Sequence, residues 1–511
     1  MAVGFETLAS KKVNIRLLAR VLGLLLVLQS FALGACTAFA AIDRVGSTSV
    51  TVALGISTSV AFMVGSVMAF LGRGQYDRIP RREGVLIVGL GWLCSGLVGA
   101  LPFALAEPHL SLAAAFFEAI SGLTTTGSTV IADLDEWPRP ILLWRSLSQW
   151  LGGLGILVLF VALLSSLGTG TKSLFRNESS FEAAESSNAK IRDTAKLLWV
   201  IYVVLTLLCF AGLKGLGMTW FDAGCHAMTC LSTGGFSTHN ESIGFFSQWR
   251  TGLAIELWLS LFMIIGSISF LVYAVILRRN WDRLRSEEEA RYYLGFILIA
   301  TSVVTLLQVF ATSAGGETNW GFWESLRAAF FTVVSVGSST GYGTVDFDAW
   351  PVAAHFLLLI VMIIGGCAGS TAGGMKIGRL LVLLRTIHHE VVQAFRPNQI
   401  MRTKVNGHSI SQSSQSQTII FVALYFTVAL ISMLVVSLLE GGKGIDFETT
   451  VSLVFTVLSN IGPGFSQVGP TQNFSELGES TLIYLSFLMI MGRLELFAFL
   501  VLIFPSAWKR Y

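Results

Sequence analysis

Ser339-Thr340-Gly341-Tyr342-Gly343 ends an amphipathic run, 323–338, that is too short to cross a bilayer and too apolar for a surface loop. Three more stretches resemble it. Thr125-Thr126-Gly127-Ser128 follows the run 112–123, Ser232-Thr233-Gly234-Gly235 follows 220–231, and Asn460-Ile461-Gly462-Pro463 follows 447–458. A helix of about twelve residues rises about 18 Å, against a hydrocarbon core of about 30 Å. Such segments reach halfway and stop. Gly127, Gly234, Gly341 and Gly462 recur at near-equal intervals, the mark of a fourfold internal repeat. One such stretch alone would read as a loop or as small-residue helix packing. Four, each after a half-length helix, do not.

The composition supplies the setting. The chain has 511 residues, 53% of them apolar and 13% charged. Soluble proteins carry roughly 25% charged residues. Mean hydropathy is +0.70. Too few charges exist to clothe a soluble surface, so an integral membrane protein is expected, and disorder, collagen and coiled coil are excluded. Ten apolar runs have the length of a span, near 17–41, 50–71, 84–105, 141–167, 197–216, 253–277, 292–311, 352–384, 418–439 and 482–504. An even number places both termini on one side. Most of the 34 lysines and arginines gather on that side, Lys11, Lys12, Arg81, Arg82, Arg278 and Arg279 among them. The other side and its margin hold Arg44, Arg139, Arg145, Lys214, Arg250, Arg327 and Lys443. The basic side is therefore expected to be cytoplasmic. Leu33-Gly34-Ala35-Cys36 resembles a lipoprotein cleavage box, but the apolar run before it is longer than the core of a signal peptide. Cys36, Cys94, Cys209, Cys225, Cys230 and Cys367 lie in or near apolar segments, so no disulfide framework is expected.

A second mark follows each glycine stretch. Met263-Ile264-Ile265-Gly266, Met362-Ile363-Ile364-Gly365 and Met489-Ile490-Met491-Gly492 share one pattern, and Gln149-Trp150-Leu151-Gly152 holds the same place more loosely. Each repeat is span, half-helix, glycine stretch, span. The expected fold is an all-α integral membrane protein with ten transmembrane helices and four re-entrant pore half-helices, in four pseudo-symmetric repeats around one pore. The expected units are an N-terminal helix pair over 1–78, then repeats over 79–170, 171–285, 286–400 and 401–511.

Irregular backbone at membrane depth survives only when buried in protein or lining water. Four such stretches around one axis would stack carbonyls where a cation must shed its hydration shell. The expected ligands are Thr125, Thr126 and Gly127, Ser232, Thr233 and Gly234, Ser339, Thr340 and Gly341, and Asn460, Ile461 and Gly462. Half-helices entering from outside would aim the negative ends of their dipoles at the axis. Gly341-Tyr342-Gly343 shares its three letters with the T-V-G-Y-G filter of potassium channels. The fourth stretch departs most, since Ile461 has no hydroxyl and Pro463 no N–H.

These stretches, together with Gly365-Gly366-Cys367-Ala368-Gly369-Ser370-Thr371-Ala372-Gly373-Gly374-Met375-Lys376 and Gly492-Arg493-Leu494-Glu495, resemble the TrkH/TrkG/KtrB superfamily of potassium transporters. The extra N-terminal pair is similar to the TrkH branch. The resemblance implies potassium uptake across a bacterial cytoplasmic (inner) membrane, with one pore per protomer, in a homodimer. It also implies a cytoplasmic nucleotide-binding regulatory protein of the TrkA/KtrA kind. Glycine in all four filter positions points, within that family, to potassium over sodium. Potassium is then cargo, and no organic cofactor and no nucleic-acid partner are expected.

Five glycines, Gly365, Gly366, Gly369, Gly373 and Gly374, interrupt the 352–384 run. Each interior glycine costs a helix about 1 kcal/mol relative to alanine, so a break is expected there. On residues alone it is a hinge or a kink; the resemblance makes 365–376 a gating loop below the filter. Arg493 is a cation inside a span and needs a cavity or a partner. Carbonyls of 365–374 suit it better than Glu495, which points elsewhere on the helix. Glu118 and Asp222 are placed to cap or brace the filters, Glu256 to pair with Arg250 or brace the pore, and Arg327 to sit at the outer margin or meet an acid. Cys225, His226 and Cys230 do not share a tight face, which argues against zinc. His388, His389 and the basic run to Lys404 suit a cytoplasmic face that orients the chain or docks a partner. No enzyme motif appears in a setting that would make one, so no catalytic residues are expected. A coupled transporter of a small organic solute is the alternative, but that architecture shows two halves rather than four quarters.

Overall fold

Apolar runs become helices along nearly all of the chain. In the computed structural model, residues 13–43, 48–74, 81–166, 188–313, 320–397, 403–406 and 408–496 are described. They are mostly helical. The sheet among them is a two-residue hairpin, Lys404–Val405 against His408–Ser409. Six described helices are long and apolar enough to cross a membrane, seven if a bent pair counts as one. Lys11 and Lys12, most of the basic stretch 168–196, the end of the 141–167 run and residues 497–504 of the last run lie outside the described residues.

The helices Ile15–Ile42 and Thr48–Leu71 pack on each other and on the first repeat. Leu33 and Cys36 are buried inside the first of them, within an unbroken helix. The four short helices are Leu112–Leu123, Trp220–Leu231, Phe322–Gly337 and Phe447–Ser459. Each begins on a cap that satisfies an orphan amide. Ser111 accepts from Ala114 N, Thr219 from Asp222 N and Asp446 from Thr449 N, while Glu324 reaches back to Gly321 N.

Each short helix packs on the second long helix of the repeat before it. Arg139–Ser166 meets Trp220–Leu231, Gly252–Ser267 meets Phe322–Gly337, and Val352–Ile364 meets Phe447–Ser459. Glu479–Arg493 then meets Leu112–Leu123 and closes the ring. The order around the ring is the order along the chain.

Two runs expected to be single spans are broken. The run 253–277 divides into Gly252–Ser267 and Phe270–Leu277, bent by 91°. The bend is tertiary: Ser267 O accepts from Cys367 N at 2.9 Å, and Phe270 N donates to Gly369 O at 3.0 Å. The last run ends as a helix at Arg493, then turns through Glu495 and Leu496, both at positive φ. The run 352–384 breaks where the glycines predict. Its helix stops at Ile364 and resumes as Ile377–Phe395.

Candidate functional site

Every short helix leaves its last turn in the same way. Thr125, Thr233, Ser339 and Asn460 take left-handed backbone, with φ of 54°, 54°, 56° and 55°. The next amide reaches back to the last turn: Thr126 N to Ser121 O at 2.9 Å, Gly234 N to Thr229 O at 2.9 Å, Thr340 N to Ser335 O at 2.8 Å, and Ile461 N to Thr456 O at 3.0 Å. This is the Schellman ending, in which glycine is the usual left-handed residue. A residue with a Cβ pays about 1 kcal/mol for it. Such strain persists only where the surroundings enforce it, and functional sites are where it clusters.

One residue further stands a glycine at positive φ: Gly127 at 85°, Gly235 at 79°, Gly341 at 84° and Gly462 at 107°. The second of these is Gly235, not Gly234. Aligning letters pairs Gly234 with Gly127; the backbone pairs Gly234 with Thr126. The sequence Ser-Thr-Gly-Gly offers two glycines, and only hydrogen bonding and φ decide between them.

The glycines form a closed ring. A Cβ on Gly127 would strike Gly234 O, one on Gly235 would strike Thr340 O, and one on Gly341 would strike Ile461 O. A Cβ on Gly462 would stand 3.1 Å from Thr126 O. Each repeat thus lays its glycine against the carbonyl of the next repeat, and the fourth returns to the first. Side chains brace this ring from behind. Ser121 Oγ donates to Ser128 O at 2.5 Å, Ser335 Oγ to Tyr342 O at 2.8 Å and Thr456 Oγ1 to Pro463 O at 2.9 Å. In the second repeat Thr229 instead meets the Tyr342 hydroxyl at 2.5 Å. Gln149, noted in sequence only as a repeat mark, donates to Gly234 O at 2.7 Å and accepts from Phe236 N at 3.1 Å. A buried glutamine in an apolar run was the signal for it.

Glu118 braces the first stretch. It accepts from Val130 N at 3.0 Å and from Arg145 Nε at 2.8 Å, and that guanidinium stacks on Phe236 of the second stretch at 3.9 Å. Asp222 accepts from Thr219 and Thr238, each at 2.7 Å. His226 places Nδ1 on Asp222 O at 2.8 Å and Nε2 on Ser237 Oγ at 3.1 Å, so its ring is a strut. Glu256 meets Arg327, not Arg250, in a two-pronged pair with both contacts at 2.7 Å.

The expected side-chain ligands divide. Thr126 Oγ1 is engaged by Thr124 and by Asn460 Nδ2, Thr233 Oγ1 donates to Ser232 O, and Ser232 Oγ donates to Thr229 O. Ser339 Oγ accepts from Gly373 N at 2.5 Å. Thr340 Oγ1 is engaged by Ser338 Oγ at 2.7 Å. Thr125 Oγ1 and Asn460 Oδ1 are buried with no hydrogen-bond partner among the described residues.

The glycine-rich segment 365–376 lies against the C-terminal ends of the short helices. Thr371 Oγ1 donates to Leu231 O at 3.0 Å, and Gly374 N donates to Ser459 O at 2.9 Å. Gly365, Gly369 and Gly374 sit at positive φ. Gly366 packs on Ser267, and Gly373 packs on Ser459 O. Arg493 is buried and donates to Thr371 O at 2.8 Å. Glu495 pairs elsewhere, with Arg379 at 2.5 Å. Arg385, on the helix that follows, pairs with Glu288 at 2.8 Å and donates to Lys404 O.

Comparison with known proteins agrees with this geometry. Residues 53–509 match the family model described as TrkH, cation transport protein. The chain is 35% identical to the Trk system potassium uptake protein TrkH of Halomonas elongata, over 97% of this chain and 100% of the relative. It is 34% identical to the Escherichia coli K12 protein of the same name, over 97% and 100%. The crystal structure of the potassium transporter TrkH from Vibrio parahaemolyticus superposes with a TM-score of 0.84 at 33% identity, covering 97% of this chain and 99% of that one. Matched along almost its whole length in sequence and in fold, the chain belongs to the TrkH family of cation transport proteins.

Proposed function

We propose that this protein takes up potassium across the bacterial cytoplasmic membrane through a filter built from the four glycine stretches. The observation that carries the reading is the closed ring of Gly127, Gly235, Gly341 and Gly462 against the carbonyls of Gly234, Thr340, Ile461 and Thr126. A ring of backbone dipoles can replace the hydration shell of a cation without adding a fixed charge. Thr125 Oγ1 and Asn460 Oδ1, unpartnered at the start of two of the stretches, are further oxygens for that ion. The names of the relatives support potassium as cargo. In this reading the short helices are re-entrant, and ten spans surround them in the repeats 79–170, 171–285, 286–400 and 401–511. Both termini face the cytoplasm. The membrane potential drives the ion inward. The segment 365–376 with Arg493 closes the path below the filter, and a dimeric assembly with a nucleotide-binding cytoplasmic partner controls it.

The test is flux into proteoliposomes with potassium, rubidium, sodium and lithium. Potassium and rubidium should pass far faster than sodium and lithium. Gly127→Ser sets a side chain at a φ of 85° against Gly234 O, and should abolish that preference. Flux indifferent to the cation in the unaltered protein would sink the reading. Arg493→Ala removes the cation held by Thr371 O and should raise flux. Unchanged flux at equal expression would remove Arg493 from the gate.

A further inference from the structure

Glu289 begins the helix Glu289–Ser313. It is buried, and its Oε1 accepts two amides, Ala368 N at 2.7 Å and Gly378 N at 3.1 Å. One of these amides lies inside the glycine-rich segment and the other just beyond it. Ala368 lies on its first limb. Gly378 lies in the first turn of Ile377–Phe395, where an amide has no partner within its own helix. The site is built for close approach, since a Cβ on Gly378 would stand 2.9 Å from Oε1.

The two limbs meet directly, through Ile377 N to Gly366 O at 3.1 Å and Lys376 N to Ile364 O at 2.9 Å, and each is also held by a different part of the ring. The first is stitched to the bend of the second repeat, through Cys367 N to Ser267 O and Phe270 N to Gly369 O. The second is stitched to the fourth repeat through Gly374 N to Ser459 O, and to the helix before the first limb through Met375 N to Ile363 O, both at 2.9 Å. One carboxylate, from a third element, bonds both sides.

We propose that Glu289 is a positioning residue that holds the two limbs together in the closed loop and so sets how often the loop opens. This rests on the reading of 365–376 as the gate. Two amides converge on one carboxyl oxygen, so the side chain favours the state in which both reach it. Opening must part at least one amide from Oε1. Glu289 is no part of the glycine ring, so its removal should change the frequency of opening and leave the choice of ion alone.

Two readouts test this. One is rubidium flux in proteoliposomes of the full chain. The other is the rate at which Cys367, 1% exposed on the clamped limb, reacts with a methanethiosulfonate reagent after the other five cysteines are replaced by serine. Glu289→Ala should raise both by about tenfold, the order of effect of one lost hydrogen bond on a two-state equilibrium. The preference for potassium over sodium should stay as it was. Glu289→Gln keeps an acceptor oxygen for the two amides and should react at close to the wild-type rate. Wild-type flux in Glu289→Ala, or labelling of Glu289→Gln as fast as that of Glu289→Ala, overturns the proposal. A chain lacking residues 370–372 separates the two levels. If that shortening leaves flux unchanged, the gate reading has failed and the clamp with it. If the shortening raises flux and Glu289→Ala does not, only the clamp has failed.

Discussion

Glu256 and His355 stand at the same place in the second and third repeats, equally far before Gly266 and Gly365. Arg327 and Glu448 likewise stand equally far before Gly341 and Gly462. The two seams that join these repeats therefore carry the same bridge with its polarity reversed. Between repeats two and three a carboxylate on the long helix meets a guanidinium on the short one, at 2.7 Å. Between repeats three and four an imidazole on the long helix meets a carboxylate on the short one, at 2.9 Å. The corresponding positions at the other seams hold Leu142 with Phe221 and Leu482 with Ala113. Position is repeated and chemistry is not. The bridges also differ in what they need. Arg327 carries its charge at any working pH. The two ring nitrogens of His355 face Glu448 Oε1 and Phe347 O, so both bonds form together only with a proton shared between His355 and Glu448.

The largest break in this comparison should come from Arg327→Ala. It leaves the Glu256 side chain, 4% exposed, without its guanidinium. The cost should be about 2 kcal/mol, below that of a fully buried pair because Arg327 is partly open to solvent. Thermal unfolding in detergent would measure it. Exchanging the chemistry sharpens the comparison: Glu256→His with Arg327→Glu installs the bridge of the next seam. If the seams are equivalent, this double variant should unfold later than Arg327→Ala; a lower transition would deny the equivalence. Glu448→Ala should cost less than about 1 kcal/mol, since that side chain is 49% exposed.

A third difference is a pH dependence at the seam between repeats three and four. Asp348, in the loop there, is pushed up to about 6 from an ordinary 3.8. Burial is the chief cause, with Asp346 and Glu448 adding to it and a backbone hydrogen bond at Ser466 and the nearby His355 opposing it. The folded chain keeps a proton that the unfolded chain has released. Stability should therefore fall as pH rises from about 4 to about 6, and stay level above that. Asp348→Asn should flatten the slope of melting temperature over this range. An unchanged slope would assign it to another group.

The short helices were legible to within a residue, because their length, their polarity pattern and the turn residues at both ends agree. The break at 365–376 was legible because glycine density opposes a helix wherever it occurs. Arg493 was legible because a lone cation in an apolar run must find oxygen. The bend at Ile268–Ser269 was not. The run 253–277 contains no proline, and its one glycine inside the core, Gly266, is shared with the other repeats. What bends it is Cys367 and Gly369, a hundred positions away in the chain. Glu289 was hidden for the same reason, since its partners are backbone amides and backbone leaves no letter. The register of the second stretch failed at Gly234 because identity of residue was taken for identity of backbone.

The closed ring has a consequence for how the protein can be taken apart. Where four identical subunits surround a pore, one altered codon alters four places together. Here each quarter is encoded separately. Gly127, Gly235, Gly341 and Gly462 can be replaced singly, in adjacent pairs, in opposite pairs or in threes. The response then becomes a curve against the number of quarters changed and their arrangement. If discrimination among ions belongs to the whole circle, adjacent and opposite pairs should differ, because a neighbouring pair disturbs three consecutive contacts and an opposite pair disturbs all four.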